Sequence, residues 1–310
     1  MTVQTIARRV GFLSLGFTIA TSLTFAAAPP KQKKFDTPEQ ASEALIAAAG
    51  NFDVPAMQEI LGPDGMDLVV TGDTVLDKNQ ASEFAAKARE AHRIVRDAKH
   101  PDVVTLNIGE DDWPVPIPIV KDGTQWRLDT KAGRQEVLFR RIGNNELDAI
   151  EVCRGYVEAQ EEYASERHDG SLVNQYAQHV FSTPGHHDGL AWKDADGSWH
   201  GPVGEEIGRA IAEGYTEGID PYHGYYFKIL KAQGSHARMG SLDFVVGGVM
   251  IGGFALVAAP ADYRVTGVKT FIVSHDGIVY EKDLGPQTHQ AFKEMSRFDP
   301  DPSWHIVQEQ

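Results

Sequence analysis

Apolar and polar positions alternate with a helical period most clearly over residues 144–166. Ala149, Val152, Tyr156, Ala159 and Tyr163 recur at three- and four-residue spacing, and Ile150, Cys153, Val157 and Ala164 widen the stripe. Asp148, Glu151, Glu158, Glu161, Glu162 and Glu166 lie on the other side. The spacing predicts one helix of about six turns. Its broad apolar face needs a partner, and the strand-rich C-terminal part supplies one. Upstream, Thr37, Pro38 and Gln40 make a helix start, with a capping hydroxyl, a preset φ and a capping-box amide. That helix runs to Gly50, a second short one begins at Asp53 and ends near Gly62, and a third is expected over 77–96. Strands are expected over 103–108, 115–120 and 125–128, the last two flanking the hairpin signal Asp122-Gly123.

Downstream of the long helix, 204–214 reads as a short helix. Residues 224–230, 253–258, 268–274 and 278–282 read as strands, the final pair joined by His275-Asp276-Gly277. The run 244–259 is almost free of charge, but Gly247-Gly248 and Gly252-Gly253 break a helix there, and the run is short for a membrane span. The fold class expected is α+β. Residues 35–142 form N-terminal helices plus a curved antiparallel sheet, in the manner of a nuclear-transport-factor-like fold. Residues 143–310 form a long helix packed on a roughly four-stranded antiparallel sheet, the layout of a type IV pilin head. The long apolar assembly helix of a pilin has no counterpart before residue 144.

Residues 1–26 read as a secretory signal peptide: Arg8 and Arg9, an apolar stretch from Val10 to Leu23, then Thr24-Phe25-Ala26 as a small-residue cleavage site. Residues 27–34 are a short basic linker. The address is therefore periplasmic or secreted, with no stable membrane insertion once the signal is cleaved. Charge sharpens this. The chain carries a formal −15, and removing the two arginines of the signal leaves −17. Such a surface repels phosphate backbones, so nucleic acid is excluded as a partner class. Cys153 is the single cysteine, so there is no internal disulfide and no cysteine metal site.

Candidate chemistry is sparse. His179, His186, His187, Asp188, Trp192, Trp199 and His200 fall in a Gly- and Pro-rich stretch, and the loop Gly185-His186-His187-Asp188-Gly189 could present ligands. The spacing matches no H-E-x-x-H pattern, and neighbouring side chains rarely face one ion. His186, His187, Asp188 and His200 are the candidate site residues. No metal or other cofactor is expected, and no catalytic residue is assigned. The triplet Glu110-Asp111-Asp112 reads as a solvated loop, because acid–base work needs carboxyls in different environments. No G-x-S-x-G and no G-x-x-x-x-G-K occurs.

Several short stretches together resemble a family of exported bacterial proteins, the domain of unknown function 2950. They are Trp126-Arg127-Leu128-Asp129-Thr130, the run from Arg140 to Glu146, Tyr156-Val157-Glu158-Ala159-Gln160, Asp188-Gly189-Leu190-Ala191-Trp192, Gly224-Tyr225-Tyr226-Phe227, Phe271-Ile272-Val273 and Asp276-Gly277-Ile278-Val279-Tyr280. The resemblance spans residue 35 to about residue 285 and implies export and a shared fold; it supplies no activity. The expected function is a non-enzymatic binding or scaffold role in the cell envelope, with an envelope protein or small ligand as partner. The alternatives are a periplasmic hydrolase using the His/Asp cluster, or small-ligand binding in the N-terminal domain. Exported protein should begin at Ala27, checked by intact mass and N-terminal sequencing; a chain retaining residues 1–26 would contradict the cleavage site.

Overall fold

The computed structural model describes residues 31–308, apart from 214 and 216–219. The expected signal peptide and the first residues of the linker lie outside the described residues. The chain begins with helices α1 (Pro38–Gly50), α2 (Val54–Leu61) and α3 (Thr74–Glu90), with a 3₁₀ turn at Pro63–Leu68. Each helix has a side-chain cap: Thr37 accepts from Gln40 N, Asp53 from Ala56 N and Asp73 from Leu76 N. The Gln40 amide reaches back to Asp36 N, one residue before the cap. The third helix ends sooner than expected, because Ala91 turns extended and Ile94 and Val95 favour a strand.

Strands β1 (His92–Asp97), β2 (His100–Ile108), β3 (Ile119–Asp122) and β4 (Gln125–Leu128) form an antiparallel sheet in that order, β2 also pairing with Trp113–Pro114. Gly123 supplies the positive φ of the β3–β4 turn. Leu45 and Ile46 of α1, Ile60 of α2 and Ala85 of α3 close over Leu106, Ile119 and Leu128 as one core.

Helix α4 (Thr130–Ala164) follows directly and is 35 residues long, a rod of about 52 Å. It begins fourteen residues before the expected start, so residue 143 lies inside it. Its first turns belong to the first core: Gly133 lies against Ile117, and Val137 packs on the cluster. Its later turns bury Ala149, Cys153, Tyr156, Ala159 and Tyr163 in a second core. The expected apolar stripe is real, and its partner is the C-terminal sheet.

The second lobe holds β5 (His179–Phe181), β6 (Gly189–Lys193) and β7 (Trp199–His200), then α5 (Gly204–Glu213). Next come β8 (Tyr225–Leu230), β9 (Ala255–Pro260), β10 (Lys269–Ser274), β11 (Tyr280–Asp283), α6 (Thr288–Glu294) and β12 (His305–Ile306). The main sheet is antiparallel in the order β12-β11-β10-β9-β8, one strand more than expected. Helix α4 lies on one face, with Tyr225 and Phe271 toward it. Helix α6 lies on the other, where Tyr226 meets Phe292. The interior strand β9 is buried at every position, which explains the charge-free run around it: a strand covered on both faces reads as continuous apolar sequence. Among the described residues no helix is long and apolar enough to cross a membrane.

Three glycines inside α4 separate propensity from packing. A Cβ at Gly133 would lie 2.5 Å from Ile117 Cα and 2.6 Å from Pro116 O, whereas nothing lies within 4 Å of one at Gly143 or Gly155. Gly143→Ala and Gly155→Ala should each stabilise by about 0.5–1 kcal/mol through helix propensity. Gly133→Ala should destabilise despite the same gain, because the helix must shift off its sheet. Urea unfolding of the three variants checks this; equal effects would contradict the packing.

Candidate functional site

Several ionisable groups shifted by burial gather where the two lobes meet around the middle of α4. Asp73, 1 % exposed, caps α3 through Oδ1. Its Oδ2 accepts from Tyr215 Oη at 3.2 Å and from Gly224 N at 3.1 Å. One carboxylate thus ends a helix of the first lobe and holds a loop of the second. Gly224 has φ +75°, and a Cβ there would lie 2.6 Å from Asn145 Nδ2, so the close approach to α4 requires glycine. Asn145, 1 % exposed, donates to Thr266 O at 2.9 Å. Glu146 Oε1 accepts from Val268 N and Lys269 N at 2.9 and 3.0 Å.

Beside this, Asp77 accepts from Thr71 N and Thr71 Oγ1, each at 2.8 Å. Arg141 donates to Asp67 O at 2.8 Å and Leu68 O at 2.6 Å, which ties α4 to the 3₁₀ turn. Burial raises Asp73 and Asp77 above the usual carboxylate range, lowers Arg141 and raises Tyr215. Arg134 beside Asp67 holds that carboxyl below its ordinary value. His223 Nδ1 meets Asp148 Oδ2 at 2.8 Å and stacks on Tyr222. Perturbed groups in one place mark a functional or a structural network. Here both oxygens of Asp73 and of Asp77 are filled by donors of the chain itself, and the arrangement joins the lobes.

The histidine loop is built differently. Asp169 Oδ2 accepts from His187 N at 2.8 Å and lies 3.6 Å from His186 Nδ1. Tyr163, in the last turn of α4, donates its hydroxyl to His187 O at 2.5 Å. The His187 ring lies on Trp192 with centroids 4.5 Å apart, and His168 stacks on Tyr163 at 3.9 Å. Asp188 turns away and accepts from Thr183 N and Thr183 Oγ1 at 2.7 and 2.8 Å. Burial pushes Asp188 upward, but these bonds outweigh it and leave the carboxyl below its usual range. His200 pairs across the strand with Trp192, yet its imidazole engages Asp194 at 3.4 Å and Ser198 at 3.0 Å. The structure therefore joins His186 and His187 through Asp169 and gives Asp188 and His200 other partners. Among the described residues, no three His, Cys, Asp or Glu side chains gather as a metal site.

Cys153 is fully buried, and burial raises its thiol to about 12. The acidic triplet forms a turn in which Asp112 pairs with Arg93 of β1. A groove of about 340 Å³ runs between Gln178–Phe181 and the end of β8 at Ile229 and Lys231. A second recess, of about 270 Å³, lies at the start of α4 among Gln32, Gly62, Asp64, Arg127 and Lys131. It falls under the roughly 300 Å³ at which small-molecule pockets begin.

Asp73, Asp77, Arg141, Tyr215 and His223 carry no motif that sequence reading could have found, since Asp73 meets its partners 142 and 151 residues away. Asp73 before Thr74 is a helix-cap signal, and only that part of its role is local. A family model described as a protein of unknown function (DUF2950) matches residues 32–307. No curated protein and no solved structure matches.

The raised carboxyls fix a pH dependence. A folded-state value above the unfolded one, about 3.9, favours the protonated form in the fold. The stability this adds is fully present below the unfolded value and is lost as pH rises to the folded value. The advantage of the wild type over Asp77→Asn should therefore be largest near about pH 4 and shrink toward about pH 7 in urea unfolding. An advantage that grows with pH would contradict the burial account.

Proposed function

The chain belongs to the family of proteins of unknown function DUF2950, and from that premise we propose that it is an exported cell-envelope protein that acts by binding a partner and carries out no reaction of its own. Export rests on the signal pattern of residues 1–26, and it places the mature protein in the periplasm or outside the cell. The reading is carried by one observation: the carboxylates of both clusters are engaged by the chain itself. Asp73 and Asp77 serve the lobe joint, Asp188 serves the Thr183 turn, Asp169 accepts from His187 N, and Tyr163 donates to His187 O. General acid–base work needs a group free to take a substrate proton, and each of these carboxylates is already bonded.

The layout agrees with that role. A long helix fixes two lobes as a rigid frame, and rigid elements present binding surfaces well. A helix laid on an antiparallel sheet is also the plan of a type IV pilin head, an analogy of layout that favours contact over chemistry.

The test is cross-linking of the mature protein in intact envelopes with reagents of several lengths, followed by mass spectrometry. One reproducible cross-linked envelope protein is expected. A monomer under every reagent, together with turnover of any tested envelope substrate, would overturn the proposal.

A further inference from the structure

The groove between β5 and β8 separates two strand edges. β8 is the last strand of the five-stranded sheet, and β5 is the last strand of the three-stranded one. Unpaired edges are normally blunted by charge, proline, shortness or cover. The first lobe follows this rule: edge strand β1 carries Arg93, Arg96 and Asp97, and Phe35 bridges to Trp126 over edge strand β4. β8 does not. It is six residues long, Tyr-Tyr-Phe-Lys-Ile-Leu, with no proline. Its one charge is turned away, because Lys228 Nζ bonds Phe292 O beneath α6.

The two edges are held at a set spacing. Lys231 Nζ donates to Gln178 Oε1 at 3.2 Å across one end, and Tyr176 N bonds Met250 O beyond it. Val180, Phe181 and Ile229 make the wall apolar, and Lys231 and His179 line the groove as its basic groups. His179 has Asp188 nearby. Among the described residues Lys231 forms no ion pair, in a chain of net charge −15. The lining holds no carboxylate.

We propose that this groove takes an extended segment of an envelope partner, of alternating apolar and acidic residues, which adds as a strand between β5 and β8. Its main chain pairs with both edges and joins the two sheets into one. Its acidic side chains stand on the face of Ile229 and Lys231, where one meets the Lys231 ammonium, and its apolar side chains stand on the opposite face. The inference rests on the binding role proposed above and names the partner's chemistry.

The experiment uses the mature protein and a capped peptide of alternating valine and glutamate, (Val-Glu)₃. Hydrogen exchange with and without peptide should show new protection at both edges, 178–181 and 226–230. The same peptide with alternate amides N-methylated should lose roughly tenfold or more in affinity, because one row of main-chain bonds is gone. Lys231→Glu, an exposed change, should weaken (Val-Glu)₃ roughly tenfold and strengthen (Val-Lys)₃. Absence of (Val-Glu)₃ binding, binding without protection at both edges, or equal affinity of the methylated peptide would each overturn the proposal. If the envelope cross-link survives Lys231→Glu unchanged while the peptide fails to bind, the groove assignment falls and the binding role stands. Loss of every cross-link in the wild type removes the role itself.

Discussion

Helix α4 is buried by two separate hydrophobic cores, and one carboxylate, that of Asp73, bonds to both lobes beside it. These two features set the constraint from which the rest follows. A helix shared by two cores cannot bend at its middle without opening one of them. Three donors offset only part of the cost of burying this carboxylate, and losing one raises that cost further. The donors are Leu76 N from the first lobe and Tyr215 Oη and Gly224 N from the second. Separating the lobes would therefore cost Asp73 two of its three donors. Asn145 and Arg141, on the same stretch of helix, tie it to the second lobe and the first in turn.

Much of the fold is legible in the sequence. The caps at Thr37 and Asp53, the Asp122-Gly123 turn and the apolar stripe from Ala149 to Tyr163 are local signals, and local signals survive folding; the cap at Asp73 went unread, the third helix being expected only from residue 77. The start of α4 is not legible, for a definite reason. The buried face of its first turns includes Gly133 and Arg141, which face the 3₁₀ turn and β-layer of the first lobe. The buried face of its later turns centres on Cys153 and Tyr156. The stripe rotates when the helix changes partner, so a single helical period fits only the second part. Gly143-Asn144-Asn145 compounds this, because it imitates a helix boundary; in the fold Gly143 is solvent-facing and Asn145 is a buried bonding group.

The candidate site was legible only in fragments. The histidines of the loop stood out, and two of them do share Asp169. Tyr163, which bonds His187 O, and His168, which stacks on Tyr163, lie at the end of the long helix and just beyond it, so nothing local shows that the loop folds back onto them. Asp188 and His200 bond to residues within six positions, Thr183, Ser198 and Asp194, which makes them turn builders. The joint residues were invisible because their partners lie far along the chain, and the groove was invisible because an unprotected edge is a property of sheet order. Only the composition of β8, aromatic and nearly uncharged, marks that strand beforehand.

A frame of this kind suits a protein whose work is contact: a rod fixes the lobes, a polar joint locks them, and one sheet edge stays open. The most direct measurement is residue-level hydrogen exchange of the α4 amides 138–148, which span the joint, against those of 149–163. The account predicts equal, slow exchange across both stretches, governed by one opening of the whole helix. Fast exchange at 138–148 between two protected flanks would show a hinge there and contradict it.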